Sequence, residues 1–325
     1  MIPASRSRIP GRLPPARCPK VLIAVAFLAA VAALLSAALV PSDCAHSAGA
    51  VATSNTRVKI SMHRDGDVTH VSVENSELTE VTVTFDFSTV NLESEVNFPH
   101  TATFGPGTGE AFTLRPAYAG ADWEYSYTNY YKLGSSVARH DDSCHYRLPY
   151  RAGRSYRVTQ AYNGTFSHKG SNQYAIDWKM PEGTPVHAAR AGTVVKVRDD
   201  SDRGGPSMEY DRYNNFVLIR HDDGTLGHYC HLQKAGAQVR PGDRVEAGDW
   251  IARSGNTGFS SGAHLHFAVF KTRSGRERVS LPVKFEINGR EGVTLKEGRN
   301  YRAAPLPDAE PAIMAEPAIM AAHQD

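Results

Sequence analysis

The residues best suited to chemistry lie in Gly255-Asn256-Thr257-Gly258-Phe259-Ser260-Ser261-Gly262-Ala263-His264-Leu265-His266-Phe267-Ala268-Val269-Phe270. A Gly/Ser turn opens this stretch, and a run of strand-forming residues closes it. Residues two apart on a strand point to the same side. His264 and His266 therefore share a face, while Leu265, Phe267 and Val269 point into apolar packing. Two imidazoles side by side on a strand suit metal binding and proton transfer. A catalytic zinc site uses three protein ligands and keeps a fourth position for water, so further donors are needed. Asp177 is an acid on the weak side of the otherwise apolar run Tyr174, Ile176 and Trp178. His168 stands near a turn in Phe166-Ser167-His168-Lys169-Gly170. His231 lies in His228-Tyr229-Cys230-His231-Leu232, where strict alternation puts it with Tyr229 and turns Cys230 and Leu232 to the core.

In order and spacing these pieces resemble the lysostaphin-type (LytM-like) zinc endopeptidases, a family of peptidoglycan hydrolases. The resemblance covers about residues 156–285. It runs through His168, Asp177, Gly183-Thr184-Pro185-Val186, Tyr229-Cys230-His231-Leu232, Val239-Arg240-Pro241-Gly242-Asp243, Gly255-Asn256-Thr257-Gly258 and His264-Leu265-His266-Phe267. It implies that His168, Asp177 and His266 ligate one Zn2+ per peptidase domain. It also implies that His231 and His264 handle the water proton and the transition-state charge, with the two roles not apportioned. The implied substrate is the peptide portion of peptidoglycan, and the implied fold is a mostly antiparallel sheet of duplicated-hybrid-motif type. Two departures stand out. Asp177 follows His168 by nine positions, a longer gap than the family often has, which a loop folding away from the ligands would accommodate. Ala263 and Ala268 replace the Pro and the acid often found beside the His-x-His motif.

The elements that must position these residues read as all-β. Over residues 56–134, Val58-Lys59-Ile60-Ser61-Met62 and Val81-Thr82-Val83-Thr84-Phe85-Asp86-Phe87 alternate, and Trp123, Tyr125 and Tyr127 share a face. Gly/Pro/Asp turns such as Phe104-Gly105-Pro106-Gly107 separate the runs, as in a small β-sandwich. His63, His70 and His100 are isolated in it and form no catalytic constellation. The passage between domains is expected at Tyr146-Arg147-Leu148-Pro149-Tyr150-Arg151-Ala152-Gly153. Beyond it, short strands and turns such as Asp222-Asp223-Gly224 continue without a sustained helical period. The expected organisation is a targeting segment at 1–50, a sandwich accessory domain at 51–150, a zinc peptidase domain at 151–300 and a disordered Ala/Pro-rich tail at 301–325. That tail holds Ala-Glu-Pro-Ala-Ile-Met twice. His187 and His221, at strand ends, are expected to be solvated. His228 is expected to be packed, as is Trp178. Tyr162 and Asn163 are candidates for the wall of a substrate groove.

Five of the 36 basic residues (Arg6, Arg8, Arg12, Arg17 and Lys20) fall in the first twenty positions with no acid among them. Without them the balance is slightly acidic, and no basic block supports nucleic-acid binding. Residues 21–40 form an apolar run broken only by Ser36, long enough for one hydrophobic helix across a bilayer. It reads either as a cleaved secretory signal, with Ala45-His46-Ser47 or Ala48-Gly49-Ala50 before the cut, or as an uncleaved anchor in the cytoplasmic membrane. Both place the rest of the chain in the periplasm or cell envelope. Pro41-Ser42-Asp43 before Cys44 argues against a lipoprotein signal. Cys144 and Cys230 would face an oxidising compartment, and their pairing is left open. Two rival functions are a catalytically inactive wall-binding or regulatory module of the same fold and an exported metallopeptidase acting on Gly-rich proteins. The presence of all five site residues speaks against the first.

Overall fold

The computed structural model describes residues 57–305 together with the short strand Ser7–Arg8. The apolar run at 21–40 and the repeat at 309–320 lie outside the described residues. Within them the chain is nearly all strand, as expected, and the helical pieces are two short 3-10 turns, Gly170–Asn172 and Met208–Tyr213.

The first unit is a sandwich. Strands β1 (Val58–Asp65), β2 (Val68–Asn75) and β5 (Gly107–Pro116) form one sheet with the short strand Leu92–Glu93. Strands β3 (Val81–Val90), β4 (His100–Phe104) and β6 (Glu124–Leu133) form the other, with Ser7–Arg8 paired to β6. Alternation sends Val71, Val73, Val81, Val83, Phe85, Phe112 and Leu114 into one core between the sheets. Strand β3 is buried on its other face as well, because Thr82 and Thr84 there point at the second unit.

The second unit is built on one nine-stranded sheet. Its central order is β9 (Gly192–Arg198), β10 (Phe216–Arg220), β11 (Leu226–Cys230), β12 (Leu265–Thr272), β8 (Ile176–Trp178) and β7 (Ser155–Gln160), all antiparallel. Arg244–Val245 and Asn300–Arg302 are the edges, and β13 (Arg278–Ser280) pairs with the far end of β12. One face carries Ile176, Trp178, Val217, Ile219, Tyr229, Leu265, Phe267 and Val269 into the main core. Burying a side chain of that size contributes about 1.5–3 kcal/mol. The opposite face carries Ala175, Ala268, Phe270 and the histidines described below.

Two expected boundaries shift. Tyr146, Leu148 and Tyr150, placed in the passage between domains, are buried in the second core, and His145–Tyr146 pairs in parallel with Lys284–Ile287. Asn300–Arg302 is an edge strand on β7 and Ala303 is buried, so the sheet continues past residue 301, where the tail was expected to begin. His221 is fully buried rather than solvated. Its Nδ1 donates to the Ala191 carbonyl at 2.8 Å, and burial pushes its pKa down to about 4. Cys144 and Cys230 are free thiols.

The sandwich docks on the site-bearing face of the large sheet. Arg220 of β10 grips Glu80 through two hydrogen bonds of 2.8 and 2.7 Å. Arg276 pairs with Asp86 at 2.7 Å, and Lys196 with Glu77 at 3.2 Å. The Gly275 N–H donates to Thr84 Oγ1 at 2.9 Å, and a Cβ on Gly275 would stand 2.0 Å from the Tyr130 carbonyl oxygen. Leu133 packs with Val195, Leu218 and Leu226.

Burial alone would raise the Glu80 carboxyl, but its hydrogen bonds, led by that from Arg220, hold it below the usual value of 4.5. A group depressed on folding contributes stability above its unfolded pKa and loses it as pH falls through its folded pKa. Glu80→Gln is therefore expected to cost on the order of 1 kcal/mol at pH 7. Urea titrations of both proteins should show that gap closing as pH falls below about 4.5.

Candidate metal and proton-transfer site

Asp177 and His266 stand directly opposite each other on β8 and β12. The same register pairs Ile176 with Phe267 on the core side, so core packing fixes where the two polar side chains meet. Asp177 Oδ1 is 2.8 Å from His266 Nδ1. His168 arrives from the loop after β7, fully buried, with Nε2 3.1 Å from Asp177 Oδ2 but outside hydrogen-bonding geometry. Its Nδ1 donates to the Ala161 carbonyl at 2.8 Å, which turns the Nε2 lone pair towards Asp177. One donor atom from each of His168, Asp177 and His266 lies within 4.8 Å of the others. The long interval between His168 and Asp177 folds into the Gly170–Asn172 turn and a Tyr174 N–H bond to Ser280 Oγ, leaving the pair in contact.

The set fits a tetrahedral ion. Bonds of about 2.0–2.2 Å imply donor–donor edges of about 3.3–3.6 Å. The separations of 2.8 and 3.1 Å therefore need to open only slightly. Burial alone would raise the Asp177 carboxyl, but the His266 and His168 imidazoles hold it well below the usual carboxylate range. Burial pulls His168 down, yet the nearby Asp177 carboxylate wins and raises it.

His231 departs from the alternation of β11. Tyr229 goes to the core, whereas Cys230 and His228 face the cleft on the opposite side. Strict alternation would send His231 after Tyr229, but its φ of +62° ends the strand and turns the ring to the His266 side. Left-handed backbone is uncommon for a non-glycine residue and is held here by specific partners. The His231 N–H donates to Asn214 Oδ1 at 2.9 Å, and its Nδ1 donates to the Thr257 carbonyl at 2.7 Å. His264 donates from Nδ1 to the Gly262 carbonyl at 2.8 Å and lies 3.1 Å from Ser260 Oγ. Each ring spends its Nδ1 proton on a carbonyl, so each neutral ring keeps a bare Nε2. The ring centres of His231 and His264 are 4.5 Å apart. Burial, reinforced by the His264 and His266 rings, pushes His231 down to about 3. Burial also lowers half-buried His264, with Asp177 pulling the other way.

Residues 171–279 match the model of peptidase family M23. This stretch is similar to peptidase family M23. The matched span holds Asp177, His231, His264 and His266, and His168 lies just ahead of it. A 116-residue stretch is 39% identical to the glycyl-glycine endopeptidase ALE-1 of Staphylococcus capitis, covering 36% of this chain and 29% of that one. A 157-residue stretch is 33% identical to the peptidoglycan DD-endopeptidase ShyC of Vibrio cholerae, covering 46% and 33%. The solved catalytic domain of lysostaphin from Staphylococcus simulans shares 27% identity over 39% of this chain and 87% of its own, with a TM-score of 0.28. The chain spans about a third or less of the length of the curated relatives it matches.

The five histidine and aspartate positions singled out in the sequence converge on one wall of the second unit. His228 is packed beside Phe216 and Phe270, as expected, and Trp178 is core. Tyr162 bonds to the Val283 carbonyl and packs against the core rather than lining the cleft. Gln160 went unnoticed in the sequence. Its Oε1 accepts the N–H groups of Phe166 and Ser167 at 3.1 and 2.9 Å, and its Nε2 donates to Asp177 Oδ2 at 3.0 Å. It thus ties the His168 loop to Asp177. Asn214 and Thr257 were likewise missed, because no motif links residues so distant to His231.

Asn214→Ala removes the acceptor for the His231 N–H. It is expected to destabilise the protein by about 1–3 kcal/mol, measured by chemical denaturation.

Proposed function

We propose that the chain is an exported zinc endopeptidase that hydrolyses peptide bonds in peptidoglycan stems or cross-links. The observation that carries this reading is the inward-facing donor set of His168, Asp177 and His266 with two bare imidazole nitrogens beside it. The complete set favours an enzyme over an inactive module. The match to peptidase family M23 and the activities for which ALE-1 and ShyC are named support both the reaction and the substrate class. The basic start and apolar run at 21–40 support export, by a cleaved signal or an anchor.

His168, Asp177 and His266 would hold the ion. Zinc, when bound, supplies Lewis acidity: it acidifies water and polarises a carbonyl oxygen. The chain's own part is proton handling. His231 and His264 are neutral near pH 7, so each offers Nε2 as an acceptor. Half-exposed His264, whose lowering by burial is opposed by Asp177, takes the proton of the attacking water. It then returns that proton to the departing amine. His231, a very weak base, accepts a hydrogen bond from the same water and steadies its orientation. Gln160 keeps the carboxylate and the His168 loop in register.

The test uses purified protein, its metal content and muropeptide release from sacculi. Wild type should hold about one zinc per chain and release muropeptides. Asp177→Ala should lose both properties. His231→Ala and His264→Ala should keep zinc and lose at least about a hundredfold in rate. Metal-free wild type, or wild type no more active than Asp177→Ala, would sink the reading. Gln160→Ala is expected to weaken zinc binding about 10–100-fold in a chelator competition.

A further inference from the structure

The cleft above the site extends well past the histidines. Its volume is about 1020 Å³, and it runs between the second unit and the sandwich. Along β12, His266, Ala268 and Phe270 share one face, because side chains two apart on a strand do; His266 lines the cleft, and Ala268 and Phe270 are buried beneath it. Phe270 stands four residues from His266, a distance of roughly 13 Å along a strand. There the guanidinium of Arg278 lies over the Phe270 ring, 4.9 Å from its centre. Lys132 of β6 faces the same end from the sandwich.

These two cations are not neutralised. Among the described residues, every ion pair of the docking surface has its acid: Arg220 with Glu80, Arg276 with Asp86, Lys196 with Glu77. Among the described residues, Arg278 and Lys132 have no carboxylate within ion-pair distance. The acid that Arg278 feels is Asp211, which lines the cleft without touching it. Burial lowers both groups, and the charge of Arg278 lowers Lys132 further. Holding two unpaired cations in a half-buried cleft is costly unless an anion joins them. A guanidinium with its fork free is the group best shaped for a carboxylate.

We infer that Arg278, with Lys132 opposite, forms an anion subsite at the far end of the cleft that binds a carboxylate of the peptide lying across the site. This rests on the proposed peptidase reading for the peptide's path but not for the anion itself. An extended chain advances about 3.3 Å per residue. The strand position of Phe270, roughly 13 Å from that of His266, therefore puts the bound carboxylate within about four residues of the bond held at the histidines. The subsite selects substrates by charge at that distance, and it contributes nothing to the bond-breaking step.

The test is a fluorescence-anisotropy titration of full-length protein with a labelled, N-methylated pentapeptide of Gly and Ala, which cannot be hydrolysed. One form has a free terminal carboxylate and its twin ends in an amide. Wild type should bind the carboxylate form at least about tenfold tighter, the size of one charge-assisted contact. Arg278→Gln and Lys132→Gln should each shrink that preference while leaving the amide form's affinity, the zinc content and the thermal midpoint unchanged. Equal affinity of wild type for the two forms would overturn the subsite, even if a variant fails to fold. So would a variant that weakens both forms alike. Carboxylate preference without muropeptide release would leave the subsite standing and remove the peptidase reading. Release without preference would do the reverse.

Discussion

The site depends on one pairing, that of Asp177 with His266 across β8 and β12. An ionised carboxylate inside a protein is costly unless charge or hydrogen bonds meet it. Asp177 is met on one oxygen by His266 and on the other by His168 and Gln160. Its position is not adjustable, because the same two strands carry Ile176, Trp178, Leu265 and Phe267 into the core. A slip of one residue would bury the acid in hydrocarbon and expose the aromatics. Core packing on one face of the sheet thus sets the donor geometry on the other.

Around this pair the histidines are held by backbone carbonyls rather than by each other. His168 is aimed by Ala161, His231 by Thr257 and His264 by Gly262. Each carbonyl can only accept, so each fixes a tautomer and leaves Nε2 bare. The price is paid in backbone conformation at His231, whose left-handed φ is stabilised by Asn214. Burial keeps the two non-ligand candidates neutral. The sandwich closes one side of the cleft through three ion pairs and a close glycine contact, so it shapes what reaches these rings.

What the sequence disclosed follows strand periodicity. Alternation placed His264 and His266 opposite Leu265 and Phe267, and Asp177 opposite Ile176 and Trp178, because His266 and Asp177 sit on regular strand and His264 in a bridge just ahead of it. It failed at His231, where a strand ends in a left-handed residue that periodicity cannot register. It also failed at His221, whose burial comes from elements distant in the chain. Gln160, Asn214 and Thr257 were silent because polar side chains that reach across loops leave no pattern. The docking of the sandwich was equally hidden: Glu77, Glu80 and Asp86 look like ordinary surface acids until the partners from the second unit are known. The added residues between His168 and Asp177 fold into their own turn, which is why the longer interval leaves the pair intact.

The central claim is that two imidazoles and one carboxylate converge on a single ion, with His231 and His264 beside it and not bound to it. Zinc K-edge absorption of the purified protein reads this directly. The spectrum should fit two imidazole nitrogens and oxygen donors at about 2.0–2.2 Å. Three or more imidazoles, a sulfur at about 2.3 Å from Cys230, or protein that takes up no zinc would contradict it.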